Sequence, residues 1–149
     1  MARLALLLAA LLLSCLLLSY RMDAKEYMRC QLTRELLLKY GINKTFLSNW
    51  ICLIEHESNR STKVLKRNPN GSRSYGLFQI NSKEWCRVSR KGGLCGNKCE
   101  DFLDDNIDDD VACAKRIFQR DGFKNWPGWS ASCRNPQNLP NLRLACKYR

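Results

Sequence analysis

Glu57 follows Trp50 by seven residues, Leu53 by four and Ile54 by three, so on an α-helix its carboxyl shares their apolar face. A carboxyl held on such a face resists ionisation, because burial disfavours the charged form, and that suits proton donation at neutral pH. Further along, Ser74-Tyr75-Gly76-Leu77-Phe78-Gln79-Ile80-Asn81-Ser82 reads as a hairpin-like segment able to stand opposite the acid. Glu55 is a poor second carboxylate, since two helical positions turn it about 200° away. Ser74 brings only a neutral hydroxyl, a weak nucleophile without a base beside it.

A second concentration of chemistry lies between Cys99 and Cys113. Asp101, Asp104, Asp105, Asp108, Asp109 and Asp110 crowd into ten residues and repel one another unless a cation sits among them; hard oxygen ligands select calcium. The spacing is not that of an EF-hand loop, and the same run also suits an acidic helix start, which the helix dipole favours. Asn43-Lys44-Thr45, Asn59-Arg60-Ser61 and Asn70-Gly71-Ser72 are glycosylation sequons. A glycan on Asn59 is expected to crowd the surroundings of Glu57.

The elements that must position these groups follow from periodicity and turn residues. Leu32, Leu36, Leu37 and Tyr40 recur at helical spacing before Gly41, and a second helix runs from about Thr45 to Ser58 with Glu57 near its end. Asn68-Pro69-Asn70-Gly71 is a turn between Val64-Leu65 and the Tyr75–Ile80 run, which predicts a small antiparallel sheet. From Asp108, Val111, Ala114 and Phe118 mark a third helix that Gly122 ends. Helices at both ends flanking one small sheet make an α+β fold, with a cleft between lobes as the place for a site.

Residues 1–24 read as a secretory signal peptide: Arg3, an apolar run from Leu4 to Leu18, then polar residues and Ala24 before Lys25. The run is short for a transmembrane span, and secretion to the extracellular space is expected. Residues 25–149 then form one domain. Setting aside Arg3, Arg21 and Asp23 lowers the formal net charge of +11 by only one, so anionic bacterial surfaces are expected partners and no specific nucleic acid is implied. Of nine cysteines, Cys15 lies in the leader; the other eight, an even number behind a signal peptide, imply a disulfide framework. Zinc is disfavoured, because no C-x-x-C pair occurs and His56 is the single histidine.

Cys52-Leu53-Ile54-Glu55-His56-Glu57-Ser58-Asn59, then Tyr75-Gly76-Leu77-Phe78-Gln79-Ile80-Asn81-Ser82 and Trp85-Cys86, resemble the c-type lysozymes and their relative alpha-lactalbumin, from about Lys25 to Cys146. The resemblance implies a lysozyme-like fold with a helical lobe, a small antiparallel sheet lobe and four disulfides: Cys30–Cys146, Cys52–Cys133, Cys86–Cys99 and Cys95–Cys113. It implies a glycoside hydrolase of bacterial peptidoglycan, cutting the β-1,4 linkage between N-acetylmuramic acid and N-acetylglucosamine, with Glu57 as general acid walled by Trp126. No cofactor is expected for catalysis, and a monomer is expected.

Ser74 stands where the family's enzymes carry an aspartate, so hydrolysis is expected to be weak or lost; a water held by Ser74 and attacking directly would invert the anomeric centre. Gln79, Asn81, Trp85 and Trp126 match positions that line the saccharide groove. Glu84 and Val88 replace an aromatic and a polar contact, which predicts weakened affinity for N-acetylated oligosaccharides. The acidic run looks like the family's calcium elbow, implying side chains of Asp104, Asp109 and Asp110 with the carbonyls of Asp101 and Asn106 around a structural Ca2+. Two other readings remain: a non-catalytic saccharide-binding or regulatory protein on this fold, and a cationic antibacterial protein acting by charge.

Overall fold

The structure, a computed structural model, describes residues 25–147. The expected signal peptide, residues 1–24, lies outside the described residues. Five helices, α1 (Arg29–Leu38), α2 (Lys44–Ser58), α3 (Asp108–Asp121), α4 (Pro127–Ser132) and α5 (Leu142–Cys146), pack beside a small sheet lobe. Among the described residues no helix is long and apolar enough to cross a membrane.

α2 is the axis of the helical lobe. The Asn43 side chain caps its start by accepting from Thr45 N at 2.8 Å, and Asn59, with φ 50°, closes its end in the left-handed region. Leu47, Trp50, Ile51, Leu53 and Ile54 are buried along it, as is Glu57. Trp50 is the hub: its ring meets Phe78, Phe118, Phe123 and Trp126 at centroid distances of 5.8, 5.5, 5.0 and 5.7 Å. Helix α1 ends at Leu38, short of the expected Tyr40, whose hydroxyl instead donates to Asp108 Oδ1 at 2.8 Å. Helix α3 starts at Asp108, Asp109 and Asp110, acids that suit the dipole, and stops before Gly122, as the spacing predicts.

β1 (Leu65–Arg67), β2 (Arg73–Tyr75) and β3 (Ile80–Asn81) form an antiparallel sheet in that order, with Lys66 opposite Ser74 and Ser74 opposite Asn81. Asn68 to Gly71 makes the expected turn, Gly71 N donating to Asn68 O at 3.0 Å with Gly71 at φ 80°. The sheet lobe also holds a short parallel pair, β4 (Cys86–Arg87) with β5 (Asn97–Lys98), where antiparallel pairing alone was expected. The Cys86–Cys99 bond draws these segments together. All four disulfides pair as the family resemblance implies: Cys30–Cys146, Cys52–Cys133, Cys86–Cys99 and Cys95–Cys113. Gly76 packs tightly against the backbone at Phe102: a Cβ there would lie 1.8 Å from Phe102 O, and its φ of 69° is one that side chains rarely adopt.

Candidate active site

A cleft of about 470 Å³ opens between the sheet and the helices. Glu57, in the last turn of α2, lines it and is 8% exposed. Its Oε1 accepts a 2.7 Å hydrogen bond from Gly128 N, one of the backbone donors that the first turn of α4 leaves without an intrahelical partner. The approach requires glycine, because a Cβ at position 128 would sit 2.8 Å from that oxygen. Lys66 Nζ, from β1, donates to the backbone carbonyl of Glu57. Glu55 faces elsewhere, as the helical period predicts, pairing with Arg29 at 2.6 Å and Arg60 at 3.0 Å.

Ser74 on β2 lines the same cleft and is also 8% exposed. Its Oγ accepts from Asn68 Nδ2 at 3.0 Å, which leaves the hydroxyl proton to be donated. Gln79, at φ 50°, spends its Nε2 on the carbonyls of Val64 and Gly76 at 2.9 and 2.8 Å, while its Oε1 is buried with no partner. Asn81 Oδ1 accepts from Lys83 N at 2.8 Å. Trp126 also borders the cleft, 2% exposed, its Nε1 donating to Phe78 O at 2.7 Å. Trp85 lines it too and is likewise 2% exposed, so each indole borders the space with little open ring face.

The structure thus brings around one cleft Glu57, expected as the acid, Ser74, expected to stand in the aspartate's position, and Gln79, Asn81, Trp85 and Trp126, expected for saccharide contacts. Sequence reasoning missed Gly128, Asn68, Lys66 and Lys83. For Gly128 the signal was only a Pro-Gly pair opening a short helix, and the register that sets Lys66 opposite Ser74 exists only once β1 and β2 pair. Asn59, though near Glu57 in sequence, does not line the cleft; its Nδ2 reaches Glu26 Oε1 at 3.2 Å.

The acidic segment runs from a 3-10 turn (Cys99–Leu103) into α3. Asp110 is 1% exposed, and neither Oδ1 nor Oδ2 has a hydrogen-bond partner. Burial, reinforced by the neighbouring Asp109 carboxylate, pushes its pKa up to about 9. Asp109 is also raised, chiefly by burial. An orphaned, buried carboxylate beside two further aspartates fits a hard cation. The carboxylate oxygens of Asp104, Asp109 and Asp110 do not all lie within 4.8 Å of one another; among the described residues only Cys52, His56 and Cys133 bring three donor atoms that close. The sulfurs of that group are committed to a disulfide and offer no thiolate.

Helical and sheet lobes stapled by four disulfides around a cleft that holds a buried glutamate define a lysozyme-like protein. The profile of the C-type lysozyme/alpha-lactalbumin family matches residues 25–146, and the chain belongs to that family. A lysozyme of Bombyx mori is 43% identical over 121 residues, 80% of this chain and 86% of that one. Among solved structures, canine milk lysozyme matches with a TM-score of 0.72 and 38% identity, covering 82% of this chain and 98% of that one. A calcium-binding lysozyme from equine milk matches with a TM-score of 0.70 and 35% identity, covering 83% and 100%.

Proposed function

We propose that this chain is a secreted protein that binds peptidoglycan glycans in the cleft and donates a proton to the glycosidic oxygen from Glu57. The observation that carries the reading is the placement of Glu57, buried, facing the cleft and fixed by Gly128 N rather than by a neighbouring cation. A carboxyl so held presents its second oxygen to a ligand. Asn81, whose Oδ1 is taken by Lys83 N, keeps its amide donor group for the sugar's carbonyl.

The second half of the chemistry is weak. Where the family resemblance implies an aspartate, Ser74 supplies no negative charge for an oxocarbenium-like transition state. Its hydroxyl is engaged by Asn68 and can orient a water but not replace a carboxylate. Hydrolysis is therefore slow, and the neutral, hydrogen-bonded Ser74 also favours the second reading, a lectin-like protein that binds without cutting. Calcium belongs to the same proposal: Asp104, Asp109 and Asp110 side chains, with the carbonyls of Asp101 and Asn106, would hold a structural ion whose charge neutralises the buried Asp110.

Lysis of bacterial cell walls by the purified, oxidised protein tests the reading against Glu57→Gln. Slow lysis that disappears in the variant supports the enzyme. Sugar binding without lysis in either protein supports the lectin-like alternative, and killing of bacteria that persists in Glu57→Gln assigns the effect to charge alone.

A further inference from the structure

The Trp85 end of the cleft is built differently from the Glu57 end. Arg120, in the last turn of α3, lays its guanidinium over Trp85 with Cζ 4.2 Å from the ring centroid. Its Nη2 donates to Glu84 Oε2 at 2.5 Å and to Asp121 Oδ2 at 2.8 Å, and its Nε to Asp121 Oδ1 at 2.9 Å. Asp121 Oδ2 also accepts from Asn125 Nδ2 at 3.0 Å. Glu84 follows β3 in the sheet lobe, whereas Arg120, Asp121 and Asn125 belong to the helical lobe, and Glu84, Trp85 and Asn125 line the cleft. A chain of contacts therefore crosses one end of the cleft from lobe to lobe. With the guanidinium in place Trp85 is only 2% exposed, and a sugar ring finds no indole face to stack on.

This clasp can open. The side chains of Arg120 and Glu84 are 44% and 47% exposed, and exposed ion pairs and cation–π contacts are individually weak. What decides the opening is where the guanidinium goes next. A neutral saccharide that displaces it from Trp85 offers only uncharged acceptors in return. A saccharide with a carboxylate offers a planar, charged acceptor in place of Glu84, matched to the two-pronged donor geometry of arginine. Lys66 and Lys83 in the same cleft add attraction for such a ligand.

We propose that Arg120 is a selectivity residue of the cleft: its clasp on Trp85 and Glu84 turns neutral N-acetylated oligosaccharides away from that end and admits saccharides that carry a carboxylate. The inference rests on the saccharide-binding reading above.

Titration calorimetry of the parent, Arg120→Ala and Glu84→Gln tests it. The probes are the neutral trimer of N-acetylglucosamine and an N-acetylglucosamine–N-acetylmuramic acid disaccharide, with its lactyl carboxylate free or as the methyl ester. The parent is expected to bind the free acid about tenfold more tightly than the ester, the scale of one charge-assisted contact. Arg120→Ala is expected to bind the neutral trimer about threefold to tenfold more tightly and to lose the acid–ester preference, whereas Glu84→Gln retains that preference. Without any ligand, Arg120→Ala should raise acrylamide quenching of tryptophan fluorescence as Trp85 becomes uncovered.

Equal affinity of the parent for acid and ester overturns the selectivity and leaves saccharide binding standing, as does trimer binding in Arg120→Ala that is unchanged or weaker. Unchanged quenching in Arg120→Ala overturns the clasp itself. If quenching rises but no protein binds any of the sugars, the saccharide reading of the cleft fails, and the selectivity with it.

Discussion

Ser74→Asp is the substitution that isolates the second half of the proposed chemistry. The position is prepared for a carboxylate: Asn68 Nδ2 already donates to the Ser74 side chain at 3.0 Å, and Lys66 stands directly opposite in the β1–β2 register. Directly opposed strand residues have Cβ atoms roughly 5 Å apart. Lys66 Nζ is engaged by the Glu57 carbonyl and its side chain is exposed, so its attraction for a carboxylate at position 74 is that of an exposed pair, at most about 1 kcal/mol. That, with a charge-assisted bond from Asn68, offsets much of the cost of placing a charge where Ser74 is 8% exposed, so the variant is expected to fold with a small change in melting temperature. In the reaction, one preorganised electrostatic group is typically worth about 10²- to 10³-fold in rate, or about 3–4 kcal/mol. The assay is clearing of a bacterial cell-wall suspension by parent, Ser74→Asp and the double variant with Glu57→Gln. A gain of about a hundredfold or more, abolished in the double variant, is expected. A folded Ser74→Asp protein no faster than the parent would refute the reasoning, and a gain that survives Glu57→Gln would show that the acid lies elsewhere.

Gly128→Ala places a methyl 2.8 Å from Glu57 Oε1, and the flexible carboxylate yields, so melting should change by less than about 1 kcal/mol while any lysis falls at least about tenfold; intact lysis would show that the Gly128 bond does not position the acid. Millimolar calcium is expected to raise the melting temperature by roughly 10 °C, the shift for about 2.7 kcal/mol when calcium stands at about 100 times its dissociation constant, and Asp110→Asn should erase that rise. No rise in the parent would dismiss the ion. Asp108, held below the usual carboxylate range by Lys39 and then Tyr40, and Asp121, held there by Arg120, contribute stability above the unfolded carboxylate pKa that is lost as pH falls through their depressed values. Melting of Asp108→Asn and Asp121→Asn should therefore differ from the parent at neutral pH and converge with it in strong acid; a constant difference across that range would contradict the pairing.

Much of the helical lobe was legible because its signals are local. The apolar face of α2, its end at Ser58 and the Asp108–Gly122 limits of α3 depend on spacing within one segment, and the structure keeps them. The cleft was legible through the family resemblance, which brought forward Glu57, Gln79, Asn81, Trp85 and Trp126 together. What sequence could not supply are contacts between segments far apart in the chain. The bond of Gly128 to Glu57 joins residues 71 positions apart, and the cover of Arg120 on Trp85 depends on how the end of α3 meets the sheet lobe. The parallel β4–β5 pair was missed for the same reason, since each strand is two residues long and carries no periodicity.

The glutamate is steadied by a main-chain amide, and the opposite wall of the cleft depends on the identity of one side chain. Those two halves age differently under mutation. A backbone donor exists whatever residues surround it, provided that α4 begins where it does and position 128 stays small, and the Cys52–Cys133 bond ties α4 to α2 at its far end. A side-chain function disappears with a single replacement. A wall of the cleft held by the main chain therefore tolerates more replacements around it than a wall whose character is set by one side chain.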